Sequence, residues 1–202
     1  MAATEPKPLR QVTRAQLDAF CAAPRSIHDC YTFACHDNPR YRAIDWNMFG
    51  DVEYEKLTRP QQVLNNVNLA SGQICNGGIA QLFFNFQEHM DHISSAIEAF
   101  GWDEFSQRFH KLFGEAFTTP AMIGKIGDLQ SNFQAAAHTK PWDEAATHFQ
   151  MVYELVDGEA FDDWFYDEET EAKFAAAAVG YVKANAGDLF QIAAAEDGGL
   201  SQ

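Results

Sequence analysis

The chain has 202 residues, 47% hydrophobic and 13% aromatic with 17 Phe, enough apolar material for one well-buried domain and too much for a disordered chain. Twenty-nine acids against 14 bases give a formal charge of −15, which argues against direct nucleic-acid binding because no basic patch is left to neutralise phosphates. No apolar run approaches the roughly 20 residues of a membrane span, and the opening MAATEPKPLRQVTR lacks the basic-then-apolar order of a secretory signal. A cytoplasmic protein without membrane contact is expected.

Residues 1–11 read as a loose arm. Thr13 and Gln16 fit a capping box that starts a short helix to about Cys21, and Pro24 separates it from a second helix around 25–36. The stretch 38–50 is irregular. Pro60, at a first-turn position, opens a helix towards Cys75 with Val63, Leu64, Val67 and Ile74 near one face. Asn76-Gly77-Gly78 follows, and after it Ile79, Leu82, Phe83 and Phe86 resume helical spacing. Asn-Gly signals a hairpin only between alternating strands, so helical spacing on both sides makes it a helix break. Asn76 or Gly77 is expected to take the left-handed conformation, and Gly78 to let the next helix start close by. The preceding strand and the glycine pattern of a phosphate loop are both missing.

Further helices are predicted over 90–100 (stopped by Gly101), 103–117, 122–137, 142–155 and 170–185, and no segment alternates convincingly with period 2. The expected fold is all-α: a single compact multi-helix domain over 51–190, an N-terminal arm and helical extension over 1–50, and a mobile tail over 191–202.

Two segments carry a family resemblance. GQICNGGIAQLFFN (72–85) and FDDWFYDEETEAKFAAAAVGYVKANAGDLF (161–190) resemble the bacterial DNA-mimic protein family, a helical domain in which a helix leads into N-G-G-[FI]-x-Q-[FY]-F-x-N and an acid-aromatic segment follows some ninety residues later. Ile79 and Leu82 stand where an aromatic is more usual. The resemblance covers roughly residues 55–190. It implies an all-α fold without known catalytic activity, and a surface that takes the place of DNA on a DNA-binding protein as a dimer. The motif residues Gln73, Asn76, Gly77, Gly78, Gln81, Phe84 and Asn85 read as mainly structural. Gln81 and Asn85, i and i+4, could bond one another or the free carbonyls at the break; the amides would satisfy backbone groups at a tight turn, or else line a small-molecule pocket.

The stretch 154–174 holds nine acids and one lysine. Glu159, Asp163, Asp167 and Glu171 recur every fourth residue, so a continuous helix would carry a carboxylate ridge in steps of about 6 Å. Alternatively Asp167 caps a new helix with Glu168, Glu169 and Glu171 in its first turn, where the helix dipole favours acids, and Asp162 and Asp163 do the same for a shorter one. Trp164, Phe165 and Tyr166 read as core or near-core anchors.

Elsewhere the chemistry is thin. Four cysteines without a C-x-x-C pair read as reduced thiols, and His28, Cys30, Cys35 and His36 lack the distant second pair of a zinc site. Glu88 and His92, like Glu144 and His148, miss di-iron spacing by one residue. No metal, cofactor or catalytic residue is assigned. The reading is a non-enzymatic acidic interaction protein whose face Asp157, Glu159, Asp162, Asp163, Asp167, Glu168, Glu169 and Glu171 engages a basic DNA-binding protein in competition with DNA. Its alternatives are a small-molecule-binding or enzymatic helical domain using the amide cluster with His89 or His92, and an antitoxin- or immunity-like partner. Apolar residues beyond the core's needs are compatible with a homodimer.

Overall fold

A computed structural model describes residues 9–36, 52–55, 57–117 and 119–193. The irregular stretch expected over 38–50 and the tail beyond 193 lie outside the described residues. In chain order the elements are strand β1 (Arg10–Thr13), helices α1 (Arg14–Phe20) and α2 (Ile27–Tyr31), the latter running on as a π-helical turn Thr32–His36, and α3 (Val52–Glu55). Then come α4 (Arg59–Phe86), a 3₁₀ turn Gln87–His89, α5 (Met90–Phe100), α6 (Asp103–Phe117), α7 (Pro120–Ala137) and α8 (Trp142–Leu155). The chain continues with α9 (Glu159–Phe165), α10 (Glu168–Ala184), α11 (Ala186–Leu189) and β2 (Phe190–Ala193). The fold is all-α apart from one two-stranded parallel ladder, Arg10 opposite Phe190 through Thr13 opposite Ala193, which the sequence reading did not expect. Strands of four residues are too short to show alternation, and a parallel partner distant in sequence leaves no turn signal between them.

Helix limits follow local chemistry. The Thr13–Gln16 capping box starts α1, and a second box, Ser26 with Asp29, starts α2. Thr58 and Gln61 exchange the same reciprocal bonds at the start of α4: the Gln61 side chain accepts the Thr58 N–H at 3.1 Å, and the Thr58 hydroxyl accepts the Gln61 N–H at 3.4 Å. Gly101, at φ 78° and ψ 22°, ends α5 in the left-handed conformation.

The described residues divide into two compact units. One comprises those within 1–65 and 172–202, with a core of Val12, Leu17, Cys30, Cys35, Val63, Leu64, Val182 and Leu189. Phe33 lies between Phe20 (ring centroids 3.9 Å apart) and Phe190 (5.0 Å). The other unit, residues 66–171, is built on an aromatic cluster. Phe105, fully buried on α6, meets Phe109 of its own helix and Phe161, Trp164 and Phe165 of α9 at centroid distances of 5.9–6.5 Å. Phe83 packs edge-on against Phe109 and Phe117. These rings fix the short helix α9 within its unit.

Candidate functional site

The helix break at Asn76-Gly77-Gly78 lies inside α4, where Gly77 (φ −169°, ψ 33°) and Gly78 (φ 74°, ψ 176°) leave helical geometry. The positive φ falls on Gly78, not on Asn76 or Gly77 as the sequence suggests, and at that ψ it is a conformation all but restricted to glycine. Gly77 needs only close approach: a Cβ there would stand 2.1 Å from the Gln81 side-chain oxygen.

A break in a buried helix strands backbone groups, and α9 supplies their partners. Asp162 Oδ1 accepts the Ile79 N–H at 2.8 Å, capping the second half of α4 from 83 residues away. One turn further along α9, Tyr166 donates its hydroxyl to the Ile74 carbonyl at the end of the first half. Asp162 and Tyr166 stand i, i+4 and so share a face. The two segments that carry the family resemblance are therefore bonded to each other. Leaving either group unpaired would cost about 1–3 kcal/mol.

The amides of the motif bond one another. Gln73 Oε1 accepts from Gln81 Nε2 at 3.1 Å and from Asn85 Nδ2 at 2.6 Å, which ties the first half of α4 to the second across the break. The Ile79 N–H and the Ile74 carbonyl have Asp162 and Tyr166 as their partners. Asn76 is exposed, and Phe84 is buried edge-on between Phe133 and Phe149. Of the two histidines near this cluster, burial holds His89 below its ordinary range, and His92 is exposed.

The acidic segment is not one helix. The helix is interrupted at Tyr166 and Asp167, so Glu159 and Asp163 belong to α9, whereas Asp167 caps α10 and Glu171 lies in its first turn. Asp167 Oδ1 accepts the N–H groups of Glu169 (2.9 Å) and Thr170 (3.3 Å), the helix-start arrangement. Asp162 and Asp163 do not cap α9, which starts after Gly158 without a side-chain cap. Asp157, Glu159, Asp163, Asp167, Glu168, Glu169 and Glu171 are exposed, and Asp162 is half-buried. Of the three aromatics, Phe165 is buried, Trp164 is half-buried beneath the Arg108 guanidinium 4.5 Å from its ring centre, and Tyr166 is 52% exposed.

Beside the break opens a cleft of about 320 Å³, walled by Tyr153, Val156, Gly158 and Tyr166. The carboxylates of Asp157, Glu159, Asp162 and Asp163 line it. Desolvation raises the Asp162 carboxyl above its ordinary range, opposed by the Ile79 N–H and reinforced by neighbouring Asp163. The Tyr153 and Tyr166 phenols are raised too, first by burial and then by the Asp162 charge. Tyr153 has no signal in the sequence; its place here follows from the packing of α8, on which Phe149 meets it edge-on.

Away from the cleft, burial pushes the Cys30 thiol up to about 12 and the Cys35 thiol higher, whereas Cys75 is exposed. The fold also makes a pairing the sequence does not announce. Ser94 Oγ lies 2.8 Å from His110 Nε2, a bond that ties α5 to α6, and His110 Nδ1 lies 2.7 Å from the Ser106 carbonyl of its own helix.

The family model described as DMP19-like protein matches residues 55–185, a span that holds the break, α9 and the cleft. No curated protein and no solved structure matches the chain.

Proposed function

Because the chain belongs to the DMP19-like protein family, we propose that it is a non-enzymatic interaction protein whose acidic face occupies the DNA site of a basic DNA-binding protein. The observation that carries this reading is the run of exposed acids in the 157–171 segment. Asp157, Glu159, Asp163, Asp167, Glu168 and Glu171 are exposed there, and none is ion-paired to a cation among the described residues. Like charges held close on two short helix starts oppose stability by a few tenths of a kcal/mol per pair, a cost that a basic partner would relieve. The aromatic cluster beneath α9 holds the charges on a rigid base, so little order would be lost on binding.

Recognition of this kind is steered by charge and weakens steeply with salt. The test is capture from the source lysate at low salt, followed by separate challenge with duplex DNA and with high salt. A defined DNA-binding protein released by both is the expected result. A partner retained in the presence of excess DNA would overturn the reading. A variant carrying Glu159→Gln, Asp163→Asn, Glu168→Gln and Glu171→Gln should lose at least about tenfold in affinity, roughly 1.4 kcal/mol, with its thermal midpoint unchanged or raised.

A further inference from the structure

We propose that the cleft beside the helix break is an anchor site for a guanidinium group, taken from an arginine on the DNA-contacting surface of the partner. This inference rests on the reading of the acidic face given above and assigns that face its specificity-determining feature.

The argument starts from groups that the fold brings to the cleft and leaves without a partner. Asp162 Oδ1 is committed to the Ile79 N–H, and Asp162 Oδ2 receives no donor among the described residues. The carboxylate is nevertheless half-buried, set between two glycines. A Cβ on Gly78 would come within 2.3 Å of Oδ2, and one on Gly158 within 3.7 Å. The Tyr153 hydroxyl, on the cleft wall, has no hydrogen-bond partner among the described residues either. One carboxylate oxygen and one phenol oxygen are thus open acceptors on the same cavity. Asp162 is locked by its backbone bond, so binding would not cost its rotamer freedom.

The size and make-up of the cavity choose among cations. Among the described residues no group of three or more His, Cys, Asp or Glu side chains is close enough to hold a metal ion, so the lining acids do not converge on a point. About 320 Å³ is at the lower limit of ligand-sized pockets, roughly 300–1,000 Å³, ample for a side-chain head with its aliphatic stem. Guanidinium is planar, stacks on aromatic rings, carries five donors in a fixed fork and is weakly hydrated; ammonium is compact, strongly hydrated and has three. A lining with several acids, two tyrosines and Val156 matches the first. Solvated lysines can satisfy the outer acids Glu168 and Glu171 by charge alone. The cleft asks for shape as well.

The probes are N-acetylarginine amide, its uncharged isostere N-acetylcitrulline amide, and N-acetyllysine amide. Each is titrated into the ¹⁵N-labelled full chain and followed by amide chemical shifts. Expected are saturable shifts for the arginine probe at residues 77–79 and 156–163, with citrulline and lysine at least about tenfold weaker. Asp162→Asn removes charge but also touches the helix cap. Asp163→Asn and Tyr153→Phe leave the Ile79 bond in place, and each should weaken the arginine probe at least about threefold with an unchanged thermal midpoint. Shifts that do not saturate, that citrulline or lysine reproduces, or that map elsewhere would overturn the assignment. The same probe is then used to compete with the captured partner. A partner displaced by DNA but indifferent to Tyr153→Phe and to the arginine probe overturns the anchor and leaves the acidic face standing. A cleft that prefers arginine in a protein with no DNA-displaced partner supports the guanidinium site and overturns its macromolecular source.

Discussion

Replacing Gly78 by alanine tests the central structural claim, that α9 caps the broken helix through Asp162. Two costs add. At φ 74° and ψ 176° a side chain occupies a region essentially closed to other residues, at about 1–3 kcal/mol. In addition, the new Cβ would lie 2.3 Å from Asp162 Oδ2, so the carboxylate must leave and the Ile79 N–H loses its acceptor, a further 1–3 kcal/mol or so. Gly101→Ala is the internal control. Gly101 also has a positive φ, 78°, but nothing lies within 4 Å of its Cβ position, so only the left-handed strain of about 1–2 kcal/mol applies. Urea unfolding of both variants, read by fluorescence and far-UV dichroism at matched m-values, gives the comparison. Gly78→Ala should be the more destabilised by at least about 1 kcal/mol. Equal losses would refute the Asp162 contact, whatever the absolute values.

Further expectations follow from the same geometry. Asp162→Ala strands the Ile79 N–H and should cost about 1–3 kcal/mol, whereas Asp162→Asn keeps an acceptor and should cost less. Burial raises the folded-state Asp162 above its ordinary 3.8, so the folded chain holds that proton more readily than the unfolded one. Its contribution is full below the unfolded value and is lost as pH rises through the folded value. The stability advantage of wild type over Asp162→Asn should therefore shrink as pH rises above the ordinary carboxylate range in denaturation series, and a growing advantage would contradict the burial. Asp167→Ala removes the cap of α10 and should lower stability by about 0.5–2 kcal/mol in calorimetry, with Asp167→Ser recovering most of it. A thiol reagent should label exposed Cys75 in the native chain but reach buried Cys30 and Cys35 only on unfolding; fast labelling of all three would be inconsistent with this core.

Much of the fold was legible because its signals are local. Met90–Phe100 ends at the predicted Gly101, and Asp103–Phe117 and Trp142–Leu155 match the apolar spacing read from the sequence. The Thr13–Gln16 box is present, and Asn-Gly-Gly is a helix break. What was not legible depends on distance along the chain. The β1–β2 ladder joins segments whose hydrogen-bonded partners Gln11 and Gln191 are 180 residues apart. Asp162 reads in sequence as one acid among nine, and only the 83-residue contact to Ile79 separates it from its neighbours. In the amide cluster the sequence leaves bonds among the amides and bonds to backbone groups both open, and the amide–amide bonds are the ones formed. Gln73 joins Gln81 and Asn85, while Asp162 of α9 and Tyr166 just after it take the backbone groups.

The acids of the 157–171 segment thus divide by what they hold. Asp162 and Asp167 accept backbone N–H groups at helix starts, so neutralising them changes stability and surface charge together. Glu159, Asp163, Glu168 and Glu171 hold no backbone group through their side chains, and each is exposed. Neutralising Asp162, Asp163, Asp167 and Glu168 together, the obvious choice from sequence alone, would confuse a weakened fold with a lost partner. The informative experiment keeps both caps and changes the other four. If binding falls while the thermal midpoint holds, the charge itself is recognised; if binding survives, these acids are not the recognised surface, and the helix dipole alone is sufficient reason for Glu159, Glu168 and Glu171 in first turns.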